Sequence, residues 1–251
     1  MEKLNYILCF LVGAVFGSFF NVVIYRLPEG MSIVKPPSSC PSCNERILPK
    51  DNIPVLSFLL LKGKCRNCGT KISIRYPLVE LGGGLIFLLS YLYDGMSFMF
   101  LRDVLFCSIL LIVTFIDVDK RIIPDILSLG GLVVGFFIVT LLLGKGWRFP
   151  VIGILVGSGI LFITAFFYEL ITKREGLGGG DIKLLGMVGA FTGYQGAILT
   201  IFIGSVLGTL FGLFLILKER GNMKTAVPFG PFLAGGAIVA DILLRNFTIQ
   251  L

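Results

Sequence analysis

The run Leu4-Asn5-Tyr6-Ile7-Leu8-Cys9-Phe10-Leu11-Val12-Gly13-Ala14-Val15-Phe16-Gly17-Ser18-Phe19-Phe20-Asn21-Val22-Val23 decides the class of fold. It carries no charge and is as long as a helix must be to cross about 30 Å of hydrocarbon. It is too long for the apolar core of a signal peptide, and no small-residue cleavage site follows it. It reads as a retained first membrane helix. Further apolar segments lie near 78–93, 98–116, 126–143, 151–171, 182–194, 197–217 and 229–244, which makes about eight spans; the sixth is short and glycine-rich.

Composition points the same way. Hydrophobic residues make up 55% of the chain and charged residues 15%, with a mean hydropathy of +0.93; a soluble domain carries about 25% charged residues. The apolar runs are continuous and do not alternate, which argues against a β-barrel. The 32 glycines and 11 prolines are scattered through the apolar segments, where membrane helices tolerate both. Heptads, low-complexity tracts and convincing internal repeats are absent from the sequence. The expected fold is an all-α integral membrane protein of about eight transmembrane helices with a small loop domain.

There is no histidine. That excludes Ser-His-Asp and Cys-His catalysis, which need an imidazole base, and HExxH zinc hydrolysis. Acid–base chemistry falls to carboxylates, lysine, tyrosine or cysteine.

Between the first two apolar segments stand Cys40-Pro41-Ser42-Cys43 and Cys65-Arg66-Asn67-Cys68. Four thiolates in two C-x2-C pairs can close a tetrahedral zinc site. The gap between the pairs is longer than usual, but loop insertions cost little. Pro37, Pro41, Gly63 and Gly69 supply turns around them. Disulfides or unpaired thiols are the alternative, disfavoured in a reducing compartment. A four-cysteine site has no open coordination position, so its metal would be structural. Cys9 and Cys107 lie in apolar spans and read as core residues.

Two acidic segments stand out: Ile116-Asp117-Val118-Asp119-Lys120-Arg121-Ile122-Ile123-Pro124-Asp125, and Gly176-Leu177-Gly178-Gly179-Gly180-Asp181-Ile182-Lys183. With the expected spans, both lie at helix ends on one membrane face. Two carboxylates that share a proton and hold a water can hydrolyse a peptide without histidine or metal, because their mutual repulsion separates an acid from a base. Plainer roles also fit. Asp181 suits a helix N-cap, Asp125 suits a helix start after Pro124, and Asp119 suits a solvated site beside Lys120 and Arg121.

These motifs resemble the bacterial type IV prepilin peptidases, the leader peptidase/N-methyltransferases among the GxGD intramembrane aspartyl proteases. The resemblance covers nearly the whole chain. It rests on Gly17-Ser18-Phe19-Phe20-Asn21-Val22-Val23-Ile24-Tyr25-Arg26-Leu27-Pro28, both CxxC pairs, Arg75-Tyr76-Pro77-Leu78-Val79-Glu80, the 117–125 segment, Gly178–Asp181 with Lys183, and Pro228-Phe229-Gly230-Pro231. It implies catalysis by Asp117 and Asp181, supported by Gly178, Gly180 and Lys183. It implies cleavage of class III signal peptides on prepilin or pseudopilin substrates at the cytoplasmic face of the bacterial inner membrane. Family members with the cysteine loop also methylate the new N-terminus from S-adenosylmethionine. No fingerprint for that donor is present; Gly63, Arg75 and Glu80 are expected to border it, although Arg75 could equally anchor the interface and Glu80 cap a helix.

The expected division is 1–26 as first helix, 27–76 as the cytoplasmic tetra-cysteine zinc domain and 77–251 as the peptidase core. The lipid bilayer and substrate proteins are the expected partners, with no nucleic acid. A transporter or channel with a zinc-ribbon loop is the competing class; it calls for acids near mid-span at broken helices.

Orientation follows from the basic residues. Nine lie in the 26–76 segment and eight more in loops expected on the same side, 17 of the 22 in the chain. The positive-inside rule puts that side in the cytoplasm and both termini outside. Reporter fusions at Asn44 and Gly146 should therefore report opposite sides of the membrane; the same side for both would refute the topology.

Overall fold

The structure, a computed structural model, describes residues 2–173, 176–218 and 228–249; Arg174, Arg220 and Lys224, counted above among the basic loop residues, lie outside them. The helices are α1 (Glu2–Arg26), α2 (Leu56–Leu60), α3 (Arg75–Asp94), α4 (Phe98–Lys120), α5 (Asp125–Phe137, continued by a π-helical turn over Ile138–Leu142), α6 (Arg148–Thr172), α7 (Gly179–Lys218) and α8 (Gly230–Ile249). Among the described residues there is no named strand, and six helices, α1 and α3 through α7, are long and apolar enough to cross a membrane. The protein is an all-α, multi-pass membrane protein. Seven of the eight expected spans fall on these six helices, the sixth and seventh both on α7; the eighth, 229–244, falls on α8, which is not among the six.

Helix α7 is the unusual element. At 40 residues it would be about twice the length of a membrane span. It does not run straight: Gly193 has φ +73 and ψ −176, a conformation open only to glycine. A Cβ placed on Gly157 of α6 would lie 2.6 Å from Leu185 O and 3.2 Å from Ala197 Cβ. Twelve residues of straight helix cover about 18 Å, so Leu185 and Ala197 can flank one glycine only if the chain doubles back between them. Residues 179–192 and 194–218 are two antiparallel legs joined at Gly193. The two spans read in the sequence are both present, as the two legs of α7.

The chain divides into two compact units, Met1–Ile112 and Val113–Leu251. In the first, α1 packs on α3 through glycines. A Cβ on Gly13 would lie 2.5 Å from Gly83 O, and one on Gly17 would lie 2.6 Å from Glu80 Cα. Lipid offers no hydrophobic drive between helices, so close backbone approach at small residues has to supply the packing. Phe16 stacks on Phe87 with centroids 5.3 Å apart, and the Asn21 side-chain amide donates to Tyr76 O at 3.0 Å.

The loop between α1 and α3 folds the two C-x2-C pairs, which read as two knuckles in the sequence, into one repeated hydrogen-bond pattern. Cys40 N–H donates to Glu45 O and Asn44 N–H to Cys40 O; Cys65 N–H donates to Thr70 O and Gly69 N–H to Cys65 O. Asn44 and Gly69 both have positive φ, and the bridges Ser39–Arg46 and Lys64–Lys71 close the two turns alike. The two C-x2-C pairs sit on two copies of one backbone knuckle.

In the second unit α6 crosses the first leg of α7 so tightly that a Cβ on Gly153 would overlap Gly189 O. Residues 184–193 are all buried. An apolar helix buried on every side belongs at the centre of a bundle, and this one carries Asp181 in its first turn.

Candidate active site

Asp117 stands one turn before the end of α4. That helix stops where Arg121 takes a left-handed conformation (φ +57) and returns its N–H to Asp117 O at 2.9 Å. The Asp117 side chain is turned inward, only 6% exposed. Its Oδ2 accepts a hydrogen bond from Gly230 N–H at 2.9 Å, the first residue of α8. No side chain fits there, because a Cβ on Gly230 would lie 2.7 Å from Oδ2 and 3.1 Å from Cγ.

Asp181 is held by a parallel device. Helix α7 starts at Gly179, so Gly178 occupies the N-cap and Asp181 the third helical position. The Asp181 N–H donates to Gly178 O at 3.0 Å, and its carboxylate accepts from the Gly178 backbone, as the acid of a capping box does. The plain reading of Asp181 as N-cap thus shifts by three positions, and its carboxylate is oriented by the first glycine of Gly-x-Gly-Asp.

The two acids, 64 positions apart in sequence, lie within electrostatic range of each other. Gly180 lets this happen: a Cβ there would lie 2.9 Å from Ile123 Cβ, in the α4–α5 connection. Across the same connection Lys183 Nζ pairs with Asp125 Oδ1 at 2.6 Å. Asp125 is the first residue of α5, so its helix-start placement is as expected, and its tie to Lys183 is added by the fold. An open cavity of about 300 Å³ lies beside Gly230, lined by Ser205, Gly208, Thr209, Pro228, Phe229 and Phe232.

In the sequence, Pro228-Phe229-Gly230-Pro231 shows no task of its own. Its task is the Gly230 amide. A glycine between two prolines is the signal that was available; what was missing was any indication of which acid it served.

In the first unit the four loop cysteines come together, all Sγ atoms lying within 4.8 Å of one another. The cysteines are free thiols. The Thr70 hydroxyl, 3.3 Å from its sulfur, and the Thr70 backbone push the Cys68 thiol down to about 6. Asp51 clamps the second knuckle through Arg66 Nε at 2.8 Å, and that guanidinium holds the Asp51 carboxyl below its usual range.

Comparison with known proteins accounts for both units. Residues 11–93 match the Bacterial Peptidase A24 N-terminal domain, and residues 104–213 match the Type IV leader peptidase family. The chain belongs to the type IV leader peptidase family. Proteins named Prepilin leader peptidase/N-methyltransferase are similar to it over nearly their full length. The one from Pseudomonas putida is 36% identical over 93% of this chain and 89% of its own. That from Stutzerimonas stutzeri is 37% identical over 95% and 91%, and that from Neisseria gonorrhoeae 34% over 88% and 85%. No solved structure matches the chain significantly.

The clash at Gly230 gives a direct test. Gly230→Ala should push the Asp117 carboxylate off the amide; losing one such hydrogen bond is worth about 1–3 kcal/mol, or roughly 5- to 160-fold in rate. Leader cleavage by the purified variant should fall by that factor while membrane insertion stays unchanged. Wild-type cleavage by Gly230→Ala would remove the amide from the site.

Proposed function

We propose that the protein is a prepilin leader peptidase and N-methyltransferase of a bacterial cytoplasmic membrane, with Asp117 and Asp181 as its catalytic pair. The observation that carries this reading is that two distant acids lie within electrostatic range, Asp117 held by the Gly230 amide of α8 and Asp181 by the Gly178 backbone at the start of its own helix. The amide on Asp117 Oδ2 leaves Oδ1 free to engage a water. A water held between the two carboxyls gives up a proton to the ionised member as its oxygen attacks the scissile carbonyl. The protonated member hands its proton to the carbonyl oxygen, giving a gem-diol; as that collapses, the proton taken from water passes to the leaving amine while a gem-diol hydroxyl returns its proton to the other carboxylate, which resets the pair. Gly178, Gly180 and Lys183 serve by holding Asp181 and the first turn of α7 in place. The cavity beside Gly230, lined by Phe229 and Phe232 with Pro228, Gly208, Ser205 and Thr209, suits an apolar stretch of a prepilin or pseudopilin chain.

The transporter alternative is not favoured. It calls for acids exposed to a mid-span pathway, whereas Asp117 and Asp181 stand at helix ends on backbone amides.

The cysteine cluster fits one zinc ion. Cys40, Cys43, Cys65 and Cys68 would hold it with sulfurs at about 2.3 Å; their four sulfurs already lie close enough together to close around one ion. Such a metal stiffens the loop and leaves no position for catalysis. The family name supports S-adenosylmethionine as methyl donor, which supplies an electrophilic methyl group to the new N-terminal amine. Gly63, Arg75 and Glu80, at the loop's return to α3, remain the residues proposed to border it. Glu80 carries a second duty, since its carboxylate accepts Val55 N–H at 2.7 Å, and a donor drawn to it would compete with the loop's own anchor.

Any single Cys→Ser change among the four should lower zinc content and loosen the loop, sparing cleavage more than methylation. Zinc-free protein with four titratable loop thiols would refute the metal site.

The catalytic pair is tested by Asp117→Asn and Asp181→Asn, which keep shape but remove the ionisable group. Each should abolish leader cleavage, scored by mass on a prepilin peptide, with normal membrane insertion. The wild-type pH profile should be bell-shaped, its two apparent pKa values belonging to the pair. Substantial cleavage by either Asn variant would overturn the assignment.

A further inference from the structure

The loop between α1 and α3 carries an apolar face that its own fold does not bury. On α2, Leu56, Leu59 and Leu60 are spaced i, i+3, i+4 and so share one side of the helix. Leu59 is 64% exposed and Leu60 70%. Ser57, on the other side, is buried and donates to Lys50 O at 3.1 Å. Ile74, the last residue before α3, is 62% exposed.

The depth of this face is fixed by Glu80. Val55 immediately precedes α2, and its N–H is held by the Glu80 carboxylate at 2.7 Å. Val55 accepts a left-handed backbone (φ +61) to make that bond, an uncommon conformation for a β-branched residue. Glu80 lies five residues into α3, about 7.5 Å along its axis at 1.5 Å per residue. Leu78 and Leu81, its neighbours on α3, are outward-facing and exposed. The start of α2 is therefore pinned below the loop end of a membrane-spanning helix, level with a surface that already meets lipid.

Cations flank the apolar face. Lys62 and Lys64 follow α2 directly, and Lys64 is paired across a bridge with Lys71. All three lysines are exposed. Residues directly opposite in such a pair project to the same side, and like charges there repel unless an anion lies against them. The 26–76 segment as a whole has nine basic residues against three acidic.

We propose that α2 lies in the interfacial layer of the bilayer, with Leu56, Leu59 and Leu60 among the upper acyl chains and Lys62, Lys64 and Lys71 on anionic phospholipid headgroups. This is the geometry of an interfacial amphipathic segment, with its cations in the field of an anionic leaflet. Glu80 is then a positioning residue that sets the depth of the loop.

The test uses the full-length protein and one fluorophore. The chain has a single tryptophan, so Trp147→Phe with Leu60→Trp leaves one probe on the face, and Trp147→Phe with Ile74→Trp gives a second should the first disturb α2. Each is reconstituted in vesicles of phosphatidylcholine with phosphatidylglycerol. Lipids brominated near the headgroup should quench the probe strongly and aqueous iodide weakly. Replacing phosphatidylglycerol by phosphatidylcholine, or introducing Lys64→Glu with Lys71→Glu, should lower bromolipid quenching about twofold or more. Strong iodide quenching without bromolipid quenching in either lipid would overturn the proposal. Protection from both quenchers that scales with protein-to-lipid ratio would overturn it in favour of a second copy of the chain. Quenching indifferent to phosphatidylglycerol and to both lysine changes would overturn the anionic assignment. The readout is independent of cleavage, so its failure is separate from failure of the peptidase reading.

Discussion

Close backbone contact between helices is the constraint on which the rest of this molecule depends. Within lipid the hydrophobic effect does not distinguish helix from acyl chain, so association rests on how nearly two helix backbones can meet. The crossing of Gly153 with Gly189 leaves no room for a Cβ on either side. The Gly13–Gly83 crossing does the same for α1 and α3. Each crossing also sets a position: Gly189 centres the first leg of α7, and with it the height at which Asp181 emerges.

From that crossing the site assembles with few additional parts. Gly193 reverses the chain, so the first leg of α7 is enclosed on every side while Asp181 remains at its rim. Gly180 passes Ile123 closely, and Gly230 presents its amide where no side chain could stand. Backbone amides make rigid hydrogen-bond donors, because their direction is set by the fold and not by a rotamer. Two carboxylates held this way keep their relative position without any further side chain between them.

The loop unit applies the same economy to a different problem. Two identical knuckles bring four sulfurs together, and the Glu80 carboxylate fixes one end of α2 on α3. The strained Val55 and the buried Asn21 amide, which reaches Tyr76 O, both serve the return of the loop to the membrane.

The sequence by itself determined the class of fold, the spans, the metal-ligand pattern and the two acids worth watching, because each is written in local composition or spacing: twenty apolar residues, two C-x2-C pairs, a glycine run ending in Asp181. Tertiary structure alone decided what those residues do to one another. Residues 182–194 and 197–217 read as neighbouring spans, but the turn between them depends on one left-handed glycine that looks like any other in a glycine-rich stretch. The two knuckles are legible as C-x2-C pairs, but the hydrogen-bond pattern they share, with almost no common side chains beyond cysteine, is not. Gly230 became a partner of Asp117 only when α8 met α4, since a backbone amide has no sequence signature and its partner is 113 positions away. Glu80 and Asp125 likewise gained their roles from contacts across the fold, to Val55 and Lys183. Spacing along a chain encodes what lies within a few turns, whereas long-range pairing is set by which glycines let which helices touch.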